Sequence, residues 1–414
     1  MLNVERLDME ISSPRKNNKY LGILIGIIFL LIMMNRLISS SLTIVFLTFV
    51  TLFIALPVLG NAFFRLNFAF IFWAAFFIYI CSRTISLNSA TIKFYLVFFS
   101  GLMLFVFMSY SGQSLFDNNG LFLIISLSVS FSVLLQFLIP SLPFFAKDGG
   151  EYGGITGKTY YVVLCSFLVI SACIFSKKLN VLTRIVIILL AASAVLITGS
   201  RSNIVTIPLA VSLSFLLAAR KGTRIKKLFE IIVVTFLLAF TVYFIGKSLQ
   251  LSTIARVEES ISRYARGLSV VSGRDVLIER AIDEFHSSPF FGIGWFGISN
   301  KYLVDGEVGS HVHNLYLQLL AETGVFGFVL FLVPALLILF SSTFFLLRKR
   351  KNDYPGRMDI FLICYSYQLY YLASSFLHAT SYDPIYIMLY FVSAGYLYGA
   401  TRIKKEERRV YKAL

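Results

Sequence analysis

A chain of 414 residues that is 57% hydrophobic and 14% charged, with 42 phenylalanines, lies outside the range of water-soluble folds, which need about a quarter of their residues charged. That excludes a cytosolic enzyme, a secreted domain and a disordered tail, and makes lipid the solvent. The net charge of +16 comes from short basic clusters between apolar runs, not from one patch interleaved with aromatics, so it reads as a topology signal and no nucleic-acid partner is expected.

In chain order, residues 1–19 form a basic N-terminus with Arg15, Lys16 and Lys19 ahead of the first apolar run. That run has no small-residue cleavage site and leads straight into a second, which predicts a retained anchor and a cytoplasmic N-terminus. A hydrocarbon core of about 30 Å takes about 20 helical residues. Such windows fall at 20–35, 37–59, 66–82, 92–110, 120–139, 159–176, 181–199, 203–219, 228–247, 324–347, 359–377 and 384–400. The expected fold is therefore an all-α polytopic membrane protein of about twelve transmembrane helices: nine within 20–247, a large extracytoplasmic loop region at 248–323, three more within 324–400, and a basic cytoplasmic tail at 401–414. Only Asn35 and Arg36 separate the first two runs, so a short or tilted helix stays open for each.

With this alternation the inner side carries 24 Lys and Arg and the outer side 13, of which seven lie in the stretch 247–313 that is too long for the positive-inside rule. The remaining contrast, 24 against 6, puts both termini inside. The four cysteines, Cys81, Cys165, Cys173 and Cys364, each sit in an apolar run with no CxxC spacing and imply neither a disulfide framework nor a zinc site. No internal repeat suggests the inverted halves of a transporter.

An outer loop at 140–158 carries the flexible run Gly149-Gly150-Glu151-Tyr152-Gly153-Gly154, suited to cap a substrate entrance. At Thr198-Gly199-Ser200-Arg201-Ser202-Asn203 one apolar helix ends and the next begins with a lone arginine between them. With Ser202 and Asn203 as capping candidates, the Arg201 guanidinium and the helix N–H groups would together suit phosphate oxygens; interfacial snorkelling is the alternative. The loop region 248–323 holds two helix-like stretches broken at Ser287-Ser288-Pro289. Arg274 in Ser272-Gly273-Arg274-Asp275 stands at a helix start, where a surface ion pair to Glu279 or Asp275 is the plainer reading. Gly292, Gly294 and Gly297 spell GxGxxG without a preceding strand, so tight turns rather than a dinucleotide site explain them. His311 and His313 open the last constellation, which continues through Asn314 and Glu322 to Gly324 and Gly327. A neutral imidazole here can take a proton from a sugar hydroxyl, with Glu322 orienting the site if its helix turns it inward; a two-histidine zinc site lacks a third-ligand spacing.

His313-Asn314, nine residues, Gly324, two residues, Gly327 resembles the signature of the O-antigen ligase and polymerase family of bacterial membrane glycosyltransferases. Thr198-Gly199-Ser200-Arg201 resembles the family's arginine after a membrane helix. Ser272-Gly273-Arg274 with Pro289-Phe290-Phe291-Gly292-Ile293-Gly294 resembles its second arginine and following motif, and Ile155-Thr156-Gly157 a weaker element. The resemblance runs from about residue 150 to 345. It implies a multi-pass protein of the bacterial cytoplasmic membrane working on the outer face without metal or other cofactor. The implied donor is an undecaprenyl-pyrophosphate-linked glycan, the acceptor a glycan or a lipid core, and a flippase and a chain-length regulator are implied companions. By the same resemblance, Arg201 and Arg274 neutralise the departing pyrophosphate, His313 is the base, and Asn314, with Glu322 and His311, contacts substrate. A polysaccharide polymerase is the first reading and an O-antigen ligase the alternative. A lipid-linked oligosaccharide flippase or a solute transporter is the alternative of another class, and neither would need His313.

Overall fold

The computed structural model describes residues 67–85, 89–116, 159–175, 180–197, 201–219, 221–223, 225–226, 229, 247, 258–259, 261–263, 265–266, 275–298, 303–304, 307–308, 312–348, 358–377 and 384–413. The predicted spans 20–35, 37–59 and 120–139, and 228–247 apart from Phe229 and Lys247, lie outside these residues, as do the 140–158 loop, Arg274 and His311. Arg201 is described by its backbone alone.

Eight of the twelve predicted runs are helices: α1 (Phe68–Ser82), α2 (Ser89–Phe116), α3 (Thr159–Phe175), α4 (Val181–Ile197), α5 (Arg201–Ala218), then, after the shorter helix α6 (Asp275–Ser287), α7 (Leu315–Arg348), α8 (Met358–Ser374) and α9 (Pro384–Ala413). Several are rich in aromatic and β-branched residues, indifferent helix formers in water; away from water the backbone must bond to itself, and a helix does so within one segment. Thr91–Tyr110 and Leu315–Arg348 are the two described helices long and apolar enough to cross a membrane by length and composition, while α1, α3, α4 and α5 are shorter apolar helices. Two boundaries depart furthest from expectation. Helix α7 starts at Leu315, ahead of the expected 324, and α9 runs on to Ala413 through what was read as a tail. Beside the helices, Leu303–Val304 (β1) and Glu307–Val308 (β2) pair as a short antiparallel ladder.

The core forms where α2 and α9 run side by side in the same direction. Gly395 and Gly399, spaced GxxxG, lie against the backbone of α2: a Cβ on Gly395 would come 2.5 Å from the Phe105 carbonyl oxygen, and one on Gly399 2.4 Å from that of Ser109. Between apolar helices in lipid, such close approach supplies the dispersion that burial from water supplies elsewhere. Helix α1 packs antiparallel to α7. The Trp73 indole donates to the Phe331 carbonyl at 3.0 Å, and its ring meets those of Phe105 and Phe391 edge-on at centroid distances of 5.0 Å. Helix α5 lies on α8, α3 lies between α4 and α8, and α6 leans on the start of α7.

Candidate functional site

The site grows from the start of α7. Asn314 is its N-cap: the side-chain carbonyl accepts from the amides of Tyr316 and Leu317, each at 3.1 Å, and the backbone carbonyl accepts from Gln318 at 3.0 Å. The Leu315 amide donates instead to the Ser375 carbonyl, 2.8 Å away at the end of α8. Tyr316 adds a second tie, its hydroxyl donating to the Leu372 carbonyl at 2.7 Å while its ring packs on Phe376. His313, half-buried, sits between the buried side chains of Val312 and Leu315 in the left-handed region at φ 54°, a conformation costly to a residue with a Cβ.

Two separate sequence motifs turn out to be one construction. At Gly324 the α7 backbone leaves helical geometry, φ 62° and ψ −173°, and the freed groups are met by the segment after α6. Val325 donates to the Pro289 carbonyl at 2.9 Å and Phe326 to that of Phe290 at 3.2 Å; in return Ile293 donates to Ala321 at 2.9 Å and Gly294 to Glu322 at 3.0 Å. The two backbones approach so closely that a Cβ on Gly292 would lie 2.3 Å from the Glu322 carbonyl carbon, and one on Gly324 2.3 Å from the Phe290 oxygen. The motif glycines Gly292, Gly294 and Gly324 are therefore where a side chain has neither room nor a favourable φ. Gly327, one turn on, leaves space for Thr323 and the Tyr79 ring.

Glu322 is fully buried at the centre of this joint. Its carboxyl oxygens accept from the amides of Phe296 and Ile298 and from the Gln318 side chain, each at 3.3 Å. Glu322 is turned inward, onto the 296–298 backbone. Helix α1 closes the joint from the other side: the Tyr79 hydroxyl bonds the carbonyls of Phe291 (2.7 Å) and Thr323 (3.1 Å), the Arg83 guanidinium donates to Gly292 at 3.2 Å, and Trp295 donates to the Arg83 carbonyl at 3.1 Å. Ala281 of α6 meets Ile298, Val312 and Ala321 in a small apolar cluster. The helix that Arg274 immediately precedes thus packs beside the residue that immediately precedes His313.

Helix α5 opens with Arg201, so Ser202 and Asn203 lie inside its first turn instead of capping it. Asn203 is buried and its side-chain oxygen accepts from the Tyr370 hydroxyl at 2.8 Å. The attachment points on α8 and just beyond its end, Tyr370 for α5 and Leu372 and Ser375 for α7, lie within six residues, about 8 Å of helical rise. The starts of α5 and α7, with Arg201 and His313, therefore share one end of the bundle. Sequence reasoning missed Tyr370, Tyr79 and Arg83, and it gave Asn203 only a capping role. The run Tyr365, Tyr367, Tyr370, Tyr371 in a membrane helix was a legible sign of buried polar contacts; Tyr79 and Arg83, more than 200 residues from their partners, left none.

This arrangement supplies an imidazole in a strained, anchored loop and an arginine at a second helix start on the same end, the components for moving a proton and holding a phosphate group. Residues 186–332 match the model of the O-antigen ligase family, Wzy_C, a stretch that begins in α4 and ends within α7 and contains Arg201, Arg274, His313, Asn314, Glu322 and all four motif glycines. No curated protein matches the chain.

Proposed function

Since the chain carries, over residues 186–332, an O-antigen ligase family domain of the ligase and polymerase type of membrane glycosyltransferase, we propose that it joins lipid-linked glycan units on the outer face of the bacterial cytoplasmic membrane as a polysaccharide polymerase. The observation that carries this reading is the convergence of the Arg201 and His313 helix starts on one end of α8. An acceptor hydroxyl attacks the anomeric carbon of a glycan on undecaprenyl pyrophosphate. Its proton passes to the His313 imidazole as the new C–O bond forms, and the old bond to the pyrophosphate breaks with its electron pair leaving on the lipid phosphate. Arg201 and Arg274 neutralise that charge by bidentate contacts, the part a metal ion plays elsewhere. A single displacement inverts the anomeric centre. Asn314 keeps the histidine loop in place by capping α7, so its contribution to substrate is through His313 and the backbone it fixes.

The test is surface-glycan analysis in a deletion strain complemented at matched membrane levels. His313→Ala should lower chain extension by about 10²–10⁴-fold. Loss of long chains with a single repeat retained is the polymerase result, and accumulation of lipid-linked polymer is the ligase result. Full extension by the His313 variant would remove the base and leave a flippase or transporter.

A further inference from the structure

Asn203 lies in a buried polar network that the chemistry so far does not use. It is 1% exposed and faces Tyr370, which is 0% exposed. The Tyr370 hydroxyl bonds the Asn203 oxygen at 2.8 Å and lies 3.1 Å from the Tyr386 hydroxyl on α9; Thr206, one turn along α5, donates to the same Asn203 oxygen at 3.4 Å. Tyr367 donates to the Tyr386 carbonyl at 2.8 Å, and the Gln368 side chain donates to the Tyr390 carbonyl at 2.9 Å and to the Ser393 hydroxyl at 2.6 Å. Helices α5, α8 and α9 are thus joined by side-chain hydrogen bonds at the end where Arg201 stands. Stability alone does not account for such a network, since polar contacts between membrane helices contribute little net energy and apolar residues fill the same space without desolvating amides and phenols. What directional bonds supply and apolar packing does not is register: the height and rotation of the first turn of α5 against α8, the helix that also anchors the start of α7.

We propose that Asn203 and Tyr370 are positioning residues that fix the Arg201 turn relative to His313, so that the donor's pyrophosphate is held where the base can act. This rests on the reading of Arg201 as a pyrophosphate-binding residue. It assigns no contact with substrate to either residue.

The experiment is binding of undecaprenyl pyrophosphate, the sugar-free leaving group, to the purified full-length protein in nanodiscs. Asn203→Leu and Tyr370→Phe each remove one partner of the bond and preserve volume. Each should weaken binding about five- to tenfold, and the double variant should lose clearly less than the product of the two single losses, because both remove the Asn203–Tyr370 bond. Tyr365→Phe is the control for a merely structural effect. It deletes another phenol on α8, bonded to the Thr343 hydroxyl at 2.7 Å and about 8 Å nearer the start of the helix, and it should leave binding unchanged. Wild-type binding by Asn203→Leu and Tyr370→Phe alongside weakened binding by Arg201→Ala would overturn the positioning role and leave the arginine site standing. Equal weakening by Tyr365→Phe, or additive losses in the double variant, would also overturn it by showing general loosening. Wild-type binding by Arg201→Ala would fail the underlying reading of Arg201, and the positioning role with it.

Discussion

Gly324→Ala probes the joint on which the site is built. The residue sits at φ 62° and ψ −173°, a region held almost solely by glycine, where an L side chain costs of order 1–3 kcal/mol. The added Cβ would stand 2.3 Å from the Phe290 oxygen and 2.5 Å from the Phe291 nitrogen, both backbone atoms with no rotamer to give way. The joint must open, which breaks the Val325 to Pro289 and Phe326 to Phe290 bonds at about 1 kcal/mol each. A total of roughly 3–5 kcal/mol exceeds what the 289–298 segment can return by relaxing, yet it falls away from the α2–α9 contact, so the bundle should still insert. A displacement near 1 Å at a reacting group costs on the order of 10²-fold in rate, and chain extension should fall by at least that much. Gly222→Ala is the companion control, since its Cβ would meet nothing within 4 Å. The readouts are glycan chain length at matched membrane levels and thermal melting of the purified protein. Wild-type extension and melting by Gly324→Ala would show that the break is not the fixed joint described here.

Glu322→Ala leaves the amides of Phe296 and Ile298 and the Gln318 side chain without their buried acceptor, whereas Glu322→Gln keeps one acceptor oxygen. The alanine variant should melt lower than the glutamine variant, and both below wild type, with roughly 1–3 kcal/mol lost per orphaned donor; identical melting of all three would refute the clamp. Tyr79→Phe removes the hydroxyl that bridges Phe291 and Thr323 while keeping the ring 5.1 Å from that of Phe326, so amides of the 289–298 segment should exchange hydrogen about fivefold faster, with no change along α9.

The helices were legible because lipid leaves the backbone few choices, and hydropathy alone places the starts and ends of most of them within a few residues. The start of α7 was not, for a specific reason. Leu315 to Thr323 reads as polar-flanked and mixed, and the cap residue Asn314 stands beside a histidine that draws attention to chemistry, so the capping function was overlooked. Gly324 was expected to open this helix and instead stands inside it, where the backbone leaves helical geometry. Asn203 was read as a cap because it follows Arg201 in a polar run; its burial depends on Tyr370, 167 residues away, which local pattern cannot reveal. The GxxxG of Gly395 and Gly399 was present in the sequence as a signal of close helix packing and needed only to be sought.

All five described residues with φ in the left-handed region, Gly292, Gly294, Phe296, His313 and Gly324, fall between positions 292 and 324. Elsewhere the described backbone obeys the rules that make membrane helices predictable, so the irregularity marks a segment held by its surroundings rather than by its own preference. For His313 those surroundings are identifiable: Val312 against α6, Leu315 and Tyr316 on the end of α8, and Asn314 on the first turn of α7. No single one of these bonds, at about 1 kcal/mol net, offsets a strained backbone of order 1–3 kcal/mol; four anchors from three helices do. A backbone fixed in this way holds the His313 Cα in place before any substrate arrives, which is the preorganisation that the base role proposed for His313 requires.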